Sequence, residues 1–415
     1  MNITQQKRLP RLLSRLCFLL LLFLMAACGD EGAAIPTNAP PAAVSGTAAT
    51  SAVVPETAVP TLPGPAIGGS ELPPTAAVVD PAATATPLPT ATQSIPGMIG
   101  PDTFPPDVNP LTGLVVSDPA VLQRRPIAVK VSNIARVRPQ SGLNNADLVF
   151  EHVTEGSITR LTAVFYTNDS TKIGSVRSGR IVDLEIPIMY DAAFAYSGAS
   201  GPLRLMFRDS LFFDRIISPD FGHGGFERIS NPNKPNEFFE DTLYTNTNTL
   251  RFILNERGQN VPPTFQNGMA FHPVPPAGGT AAGTIEIAYP ATNAFWQYEP
   301  GSGRYRRWSD GVPHTDANTG EQLNFKNIIV LAAHHQNTDI VEDTLGSLSI
   351  QIQVWGEGPV SIFRDGQRFE GRWRRDNPGD MLTFYDLEGN LLPLSPGNSF
   401  FQLVPLGFTN LFVTE

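Results

Sequence analysis

Five polar residues stand out for the chemistry that they could perform: Arg138, Arg160, Arg177, Ser178 and Arg180. A guanidinium is a planar, permanently charged fork that matches the oxygens of a phosphate or carboxylate. The run Arg177-Ser-Gly-Arg180, following Gly174, reads as a strand-to-helix loop. Free backbone N–H groups at such a helix start would add to the field of the two arginines. A phosphate, pyrophosphate or carboxylate on an envelope molecule is the natural occupant. Three acids lie in the same region. Asp147 and Glu151 have the same parity on an expected strand, so their carboxylates should face one way, and Glu155 follows. Two readings stay open: these charges pair with one another to fix the fold, or the arginines bind a ligand. A third use is catalytic, with Asp147, Glu151 or Glu155 as acid and base in an envelope glycopolymer hydrolase or transferase.

Other chemistry finds less footing, and whether the chain is an enzyme stays open. Ser197-Gly-Ala-Ser-Gly201 hints at a nucleophile elbow, but Pro202 follows Gly201 and Gly-x-Ser-x-Gly is not satisfied. His223 sits among glycines, and His314, Asp316, His334 and His335 do not fall at metal-ligand spacing. No metal and no cofactor are expected, since no phosphate loop, His-Glu-x-x-His or dinucleotide fingerprint occurs. Trp296, Trp308, Trp355 and Trp373, with Tyr298 and Tyr305, would form either core or a sugar-stacking platform.

These residues need elements to position them. Pro126 to Ser132, Asp147 to Val153, Leu161 to Tyr166 and Ala192 to Tyr196 read as strands. Ile181 to Met189 has helical spacing interrupted by Pro187. Thr247 to Arg257 is a better helix, with Leu250, Ile253 and Leu254 on one face and Gly258 at the cap. After Val261-Pro-Pro263 the pattern becomes mostly strand, from Thr284 to Ala288 through Asn327 to Leu331 to Leu382 to Tyr385, with Asp365-Gly366 the sharpest turn signal. The expected fold class is α+β. A mixed α/β first domain, residues 106–262, precedes a mostly β second domain, residues 263–415.

The N-terminal part reads as an address. Lys7, Arg8, Arg11 and Arg15 precede the ten-residue apolar run Leu16 to Met25, and Ala26-Ala27-Cys28 follows. Ten residues are too few for a membrane-crossing helix, which needs about 20. Small residues before a cysteine resemble a bacterial lipobox, which implies a signal peptide over residues 1–27 and diacylation of Cys28. The chain has 2 cysteines, Cys17 and Cys28, so the expected folded part has no thiol chemistry. Residues 28–105 are read as a disordered Pro/Ala/Thr tether: 13 of the 39 prolines and no Lys or Arg lie between Glu31 and Gly100. With the four positive side chains of residues 1–27 removed, the formal charge moves from −10 to −14. A chain this acidic has no global field for nucleic acid, which is excluded as a partner. The expected partners are the membrane, through lipidated Cys28, and a cell-wall polymer or envelope protein. The expected location is the extracytoplasmic face of the cell membrane.

Several runs are distinctive: Arg125-Pro-Ile-Ala-Val-Lys-Val-Ser-Asn133, Arg138-Pro-Gln-Ser-Gly-Leu143, Ala146-Asp-Leu-Val-Phe-Glu151, Thr154-Glu-Gly-Ser-Ile-Thr-Arg160 and Ile173-Gly-Ser-Val-Arg-Ser-Gly-Arg180. Together they resemble the YerB-like bacterial lipoproteins, built from paired N- and C-terminal domains of unknown function. Gly311 to Asp316, Phe363 to Gly366, Gly371 to Trp373 and Pro396 to Pro405 resemble the second domain of that family. The resemblance implies a two-domain surface lipoprotein and carries no established chemistry. The family tends to have Pro-His-Asn-Leu-Tyr-Thr where this chain has Phe238-Phe-Glu-Asp241 before Leu243-Tyr-Thr245, so that histidine is missing here.

Overall fold

The apolar alternation of the first half builds strands β1 (Ile127–Ser132), β2 (Leu148–Val153) and β3 (Thr159–Phe165), followed by the short β4 (Ala193–Ala195) and β5 (Ile216–Ile217). The computed structural model describes residues 96–231 and 237–415. The expected signal peptide, Cys28 and most of the expected tether therefore lie outside the described residues. From Pro96 onward the chain is packed: Ile99 exchanges backbone hydrogen bonds with Phe271 at 2.9 and 2.8 Å. The folded region thus begins before residue 106, because Ile99 completes a bridge that the local composition does not announce.

The second half supplies β6 (Thr284–Tyr289), β7 (Thr292–Glu299), β8 (Arg304–Ser309), β9 (Asn327–Val341), β10 (Leu348–Gln353), β11 (Gly356–Arg364), β12 (Gln367–Arg375), β13 (Thr383–Asp386), β14 (Ser399–Pro405) and β15 (Leu411–Thr414). At the turn between β11 and β12, Asp365 (φ 53°) and Gly366 (φ 72°) are both left-handed, as a two-residue hairpin turn requires. The expected α+β class is observed.

One large sheet runs through both halves in the order β13-β12-β11-β9-β14-β2-β3-β1-β4-β5. The seam is parallel: β2 pairs with β14 from Leu148↔Ser399 to Glu151↔Gln402, and β14 pairs with β9 from Asn327↔Ser399. The two halves therefore share backbone hydrogen bonds across the expected boundary at residues 262 and 263. A smaller sheet orders β8-β7-β6-β15 and packs on the large one.

Each face of the large sheet buries an apolar layer drawn from both halves. Neighbouring residues of β14 point to opposite faces. Phe401 stacks on Phe150 at 4.3 Å on one side, and Phe400 meets Trp296 at 4.9 Å on the other. Trp296 and Trp373 are fully buried in these layers and Tyr305 with them, so they serve the core. Helix α1 (Gly201–Arg208) buries Leu203 and Phe207, four residues apart. Helix α2 (Thr247–Glu256) is capped by Asn246, whose Oδ1 accepts from the Thr249 N–H at 2.8 Å, and Gly258 follows it at φ 65°. Ile181 to Met189 is not one helix but a tight turn, Ile181–Leu184, and a single helical turn, Ile186–Met189. Pro187 has no N–H to continue the ladder, which breaks the expected periodicity.

Candidate functional site

Two of the four singled-out arginines, Arg160 and Arg180, converge. Glu155 follows β2 and accepts from Arg160 Nη2 at 3.2 Å and from Arg180 Nε at 2.6 Å, so one carboxylate holds two guanidiniums. Arg160 Nη1 also donates to the Ser178 carbonyl at 3.2 Å. Arg177 points away from this pair to Asp241 at 3.4 Å and to the Glu240 carbonyl at 3.3 Å. Arg138 lies elsewhere, ion-paired with Asp310 and donating to the Asn133 carbonyl at 2.7 Å.

Burial sets the electrostatics of the cluster. It lowers Arg160 to about 9, with the neighbouring charge of Arg180 acting in the same direction and Glu155 opposing. Burial also lowers Arg177. Burial works to raise Glu155, but the Arg180 hydrogen bond and the charges of Arg160 and Arg180 outweigh it and hold the carboxyl low.

The cluster is lidded by the second half. Strand β9 runs on past the large sheet and pairs with β10, and this hairpin packs over the turn Ile181–Leu184. Its turn places Glu342 with a side chain only 1% exposed, 3.8 Å from Arg180 Nη1. Neither carboxylate oxygen of Glu342 has a hydrogen-bond partner among the described residues. A buried carboxylate held by charge alone is costly, and it is the least settled group of the cluster.

Beneath lies a sealed network that the sequence did not single out. Lys130 Nζ, at the centre of β1, contacts Asp183 at 2.8 Å, Thr162 Oγ1 at 2.9 Å and His152 Nε2 at 2.5 Å. Burial lowers Lys130 to about 8 against the raising effect of Asp183. Burial and the charge of Lys130 hold His152 well below its usual value. The available signal was a lysine inside the apolar run Ile-Ala-Val-Lys-Val of β1.

The three acids Asp147, Glu151 and Glu155 each have their own hydrogen-bond partners. Asp147 accepts from Asn109, Tyr166 and Thr167, while Glu151 takes Asn133, Thr159 and Arg307, and Glu155 takes the two arginines. No two share a partner among these bonds. Burial raises Asp147 against its four hydrogen bonds. Ser200 ends as the residue before α1 with no capping bond, and His314 is buried between Arg307, Ser309 and Gln140. Among the described residues no group of three or more His, Cys, Asp or Glu could hold a metal ion.

Two sequence halves that share one sheet, with a charge-balanced interior at their seam, define a paired-domain architecture. The chain belongs to the YerB-like family: residues 111–260 match the N-terminal domain, and residues 285–401 the C-terminal domain, of the protein of unknown function DUF3048. Over 309 residues it is 29% identical to YerB of Bacillus subtilis (strain 168), whose name includes the word lipoprotein. That match covers 74% of this chain and 88% of the relative. The crystal structure of YerB from Bacillus subtilis superposes with a TM-score of 0.62 at 25% identity, covering 74% of this chain and 99% of that one. The resemblance expected from the motifs is met.

Proposed function

We propose that this chain is a lipoprotein held at the extracytoplasmic face of the membrane through Cys28. There it binds an anionic envelope ligand or cell-wall partner through Arg160, Arg177, Ser178 and Arg180. The lipobox-like Ala26-Ala27-Cys28 and the lipoprotein name of the Bacillus relative support the anchor. Among the described residues, no helix is long and apolar enough to cross a membrane.

One observation carries the binding reading: the cluster already accommodates an anion, Glu342, that no hydrogen bond holds. A ligand oxygen taking direct hydrogen bonds from Arg180 would replace a carboxylate that makes none. The hairpin of β9 and β10 carries Glu342, so its displacement would open the cluster without disturbing the sheet. The hydrolase alternative lacks such support, because Asp147, Glu151 and Glu155 have their oxygens committed.

Co-sedimentation of the purified protein with anionic wall polymer tests the reading. Glu342→Ala should increase retention, and Arg177→Ala with Arg180→Ala should abolish it. Unchanged retention by a folded double variant would sink the idea. Cys28→Ala should release the protein from the membrane fraction without altering retention.

A further inference from the structure

A second site lies where the parallel seam begins. Asp147 precedes β2 and Asn398 precedes β14, and these strands pair from their first residues. The same end of the sheet holds a cavity of about 360 Å³, at the lower end of the range for small-molecule sites. Its walls come from both matched domains: Thr112, Asn144 and Asp147 from the first, Arg304 and Asn398 from the second. Gly397 closes one side, at φ 147° and so near Lys326 that a Cβ would lie 2.4 Å from its Cγ. Neither domain builds this cavity alone.

Arg304, half-buried, has no carboxylate partner among the described residues. Its Nε donates to Asn324 Oδ1, and its Nη2 to Asn398 Oδ1 at 2.5 Å and to the Asn324 carbonyl at 3.3 Å. Its Nη1 makes no hydrogen bond to a described residue. Burial lowers its pKa. Asn324 also ties in Asn144: the Asn324 N–H donates to Asn144 Oδ1 at 3.4 Å, which leaves Asn144 Nδ2 as the donor end of that amide. That Nδ2 is buried and unpartnered. Two unspent donors, one of them a guanidinium edge, thus flank one residue at the wall of one cavity.

The acids here do not take up these donors. Asp147 spends its oxygens on Asn109, Tyr166 and Thr167, and Asp118 stands at the rim, where its Oδ1 accepts from the Ala120 N–H at 2.9 Å. Their charge disfavours a highly charged anion and leaves room for a singly charged one. The remaining lining mixes amide and hydroxyl side chains with the apolar Val116, Val121 and Ala146, and Leu114 and Val115 are exposed along one edge. We infer that this interdomain cavity binds the carboxylate of a small, hydroxyl- or amide-rich molecule, one oxygen on Arg304 Nη1 and the other on Asn144 Nδ2. Such a carboxylate ends a short peptide or belongs to a sugar acid. The site is separate from the arginine cluster and does not depend on its reading.

Isothermal titration of the purified protein tests the inference with four probes: the dipeptide Ala-Ala, its methyl ester, glucuronate and inorganic phosphate. Ala-Ala or glucuronate should bind, and which of them binds more tightly identifies the source of the carboxylate. The methyl ester should bind at least about tenfold more weakly, as expected for losing a charge-assisted hydrogen bond. Arg304→Gln should weaken the carboxylate probe by about tenfold or more. Asn144→Asp places a negative charge beside the guanidinium and should abolish binding, which covers the case in which Arg304→Gln fails to fold. Three results would overturn the assignment: no carboxylate probe binds, the ester binds equally, or both folded variants bind as the parent does. Equal or tighter binding of phosphate would make this a general anion site and overturn it too.

Discussion

Arg307 Nη2 donates to Glu151 Oε2 at 2.8 Å, and neither side chain has any exposed surface. The guanidinium comes from β8 of the second half and the carboxylate from β2 of the first, so this pair is a charge lock across the seam. Glu151 is also held by Asn133 and Thr159, and Arg307 lies over Trp296 at 5.0 Å and Phe400 at 4.8 Å. Glu151→Gln leaves a buried guanidinium without its counter-charge. The expected loss is about 3–5 kcal/mol, read as a lower midpoint in urea denaturation. A variant as stable as the parent would show that the pair is dispensable. Replacing both partners by apolar residues of similar volume should recover part of the loss.

The strands that frame this lock were legible because β1, β2 and β3 carry long apolar runs, and the Asp365-Gly366 turn was legible from its dipeptide. The partners were not. Glu151 and Arg307 lie 156 positions apart, and Arg304 meets Asn398 across 94. Nothing local encodes which distant charge answers which. The convergence of Arg160 and Arg180 was legible as a cluster, yet their neutralisation by Glu155 and the lid carrying Glu342 needed the fold. Arg138 was grouped with them by motif, and the structure assigns it to Asp310 instead.

Acidification should destabilise the protein before its carboxylates titrate. Burial holds His152 and His314 well below their usual value, helped by Lys130, Arg160 and Arg180 around the first and by Arg307 and Arg138 around the second. Below about pH 6.5 the unfolded chain takes up protons on both rings that the folded chain refuses. Stability is therefore present above that pH and falls as pH drops, by up to about 1.4 kcal/mol per pH unit for each histidine. Asp147, raised by burial, acts in the opposite sense. The informative measurement is thus the difference in Tm slope between pH 7 and 5 for the parent and the pair His152→Gln, His314→Gln. Parallel slopes would exclude the histidines as the source.

The aromatic stack at the seam should be worth more than any surface charge. Phe150 and Phe401 lie 14° from parallel with centroids 4.3 Å apart, and both are buried. Phe401→Ala removes a ring from a layer shared by both halves, with an expected cost of about 3–5 kcal/mol. Phe401→Leu should cost distinctly less, since it leaves a smaller void. Chemical denaturation checks both. Equal losses would point to the stacking geometry rather than to cavity volume.

On the alkaline side the sealed Lys130 makes an unusual demand. Its amine has a folded value of about 8, set first by burial and offset only in part by Asp183, against an ordinary value of 10.5. Between those values the unfolded chain holds a proton that the folded chain has released. Stability linked to Lys130 is therefore fully present only above the unfolded value and is lost as pH falls through the folded one. Arg160, lowered by burial to about 9, acts in the same direction. Buried tyrosines such as Tyr190 are raised and oppose this above about pH 10, which confines the test to lower pH. From pH 8 to 9.5 the Tm should hold or rise for the parent, and Lys130→Met should flatten that dependence. A parent whose stability falls steeply over this interval, with Lys130→Met falling in parallel, would show that the amine stays charged in the folded state.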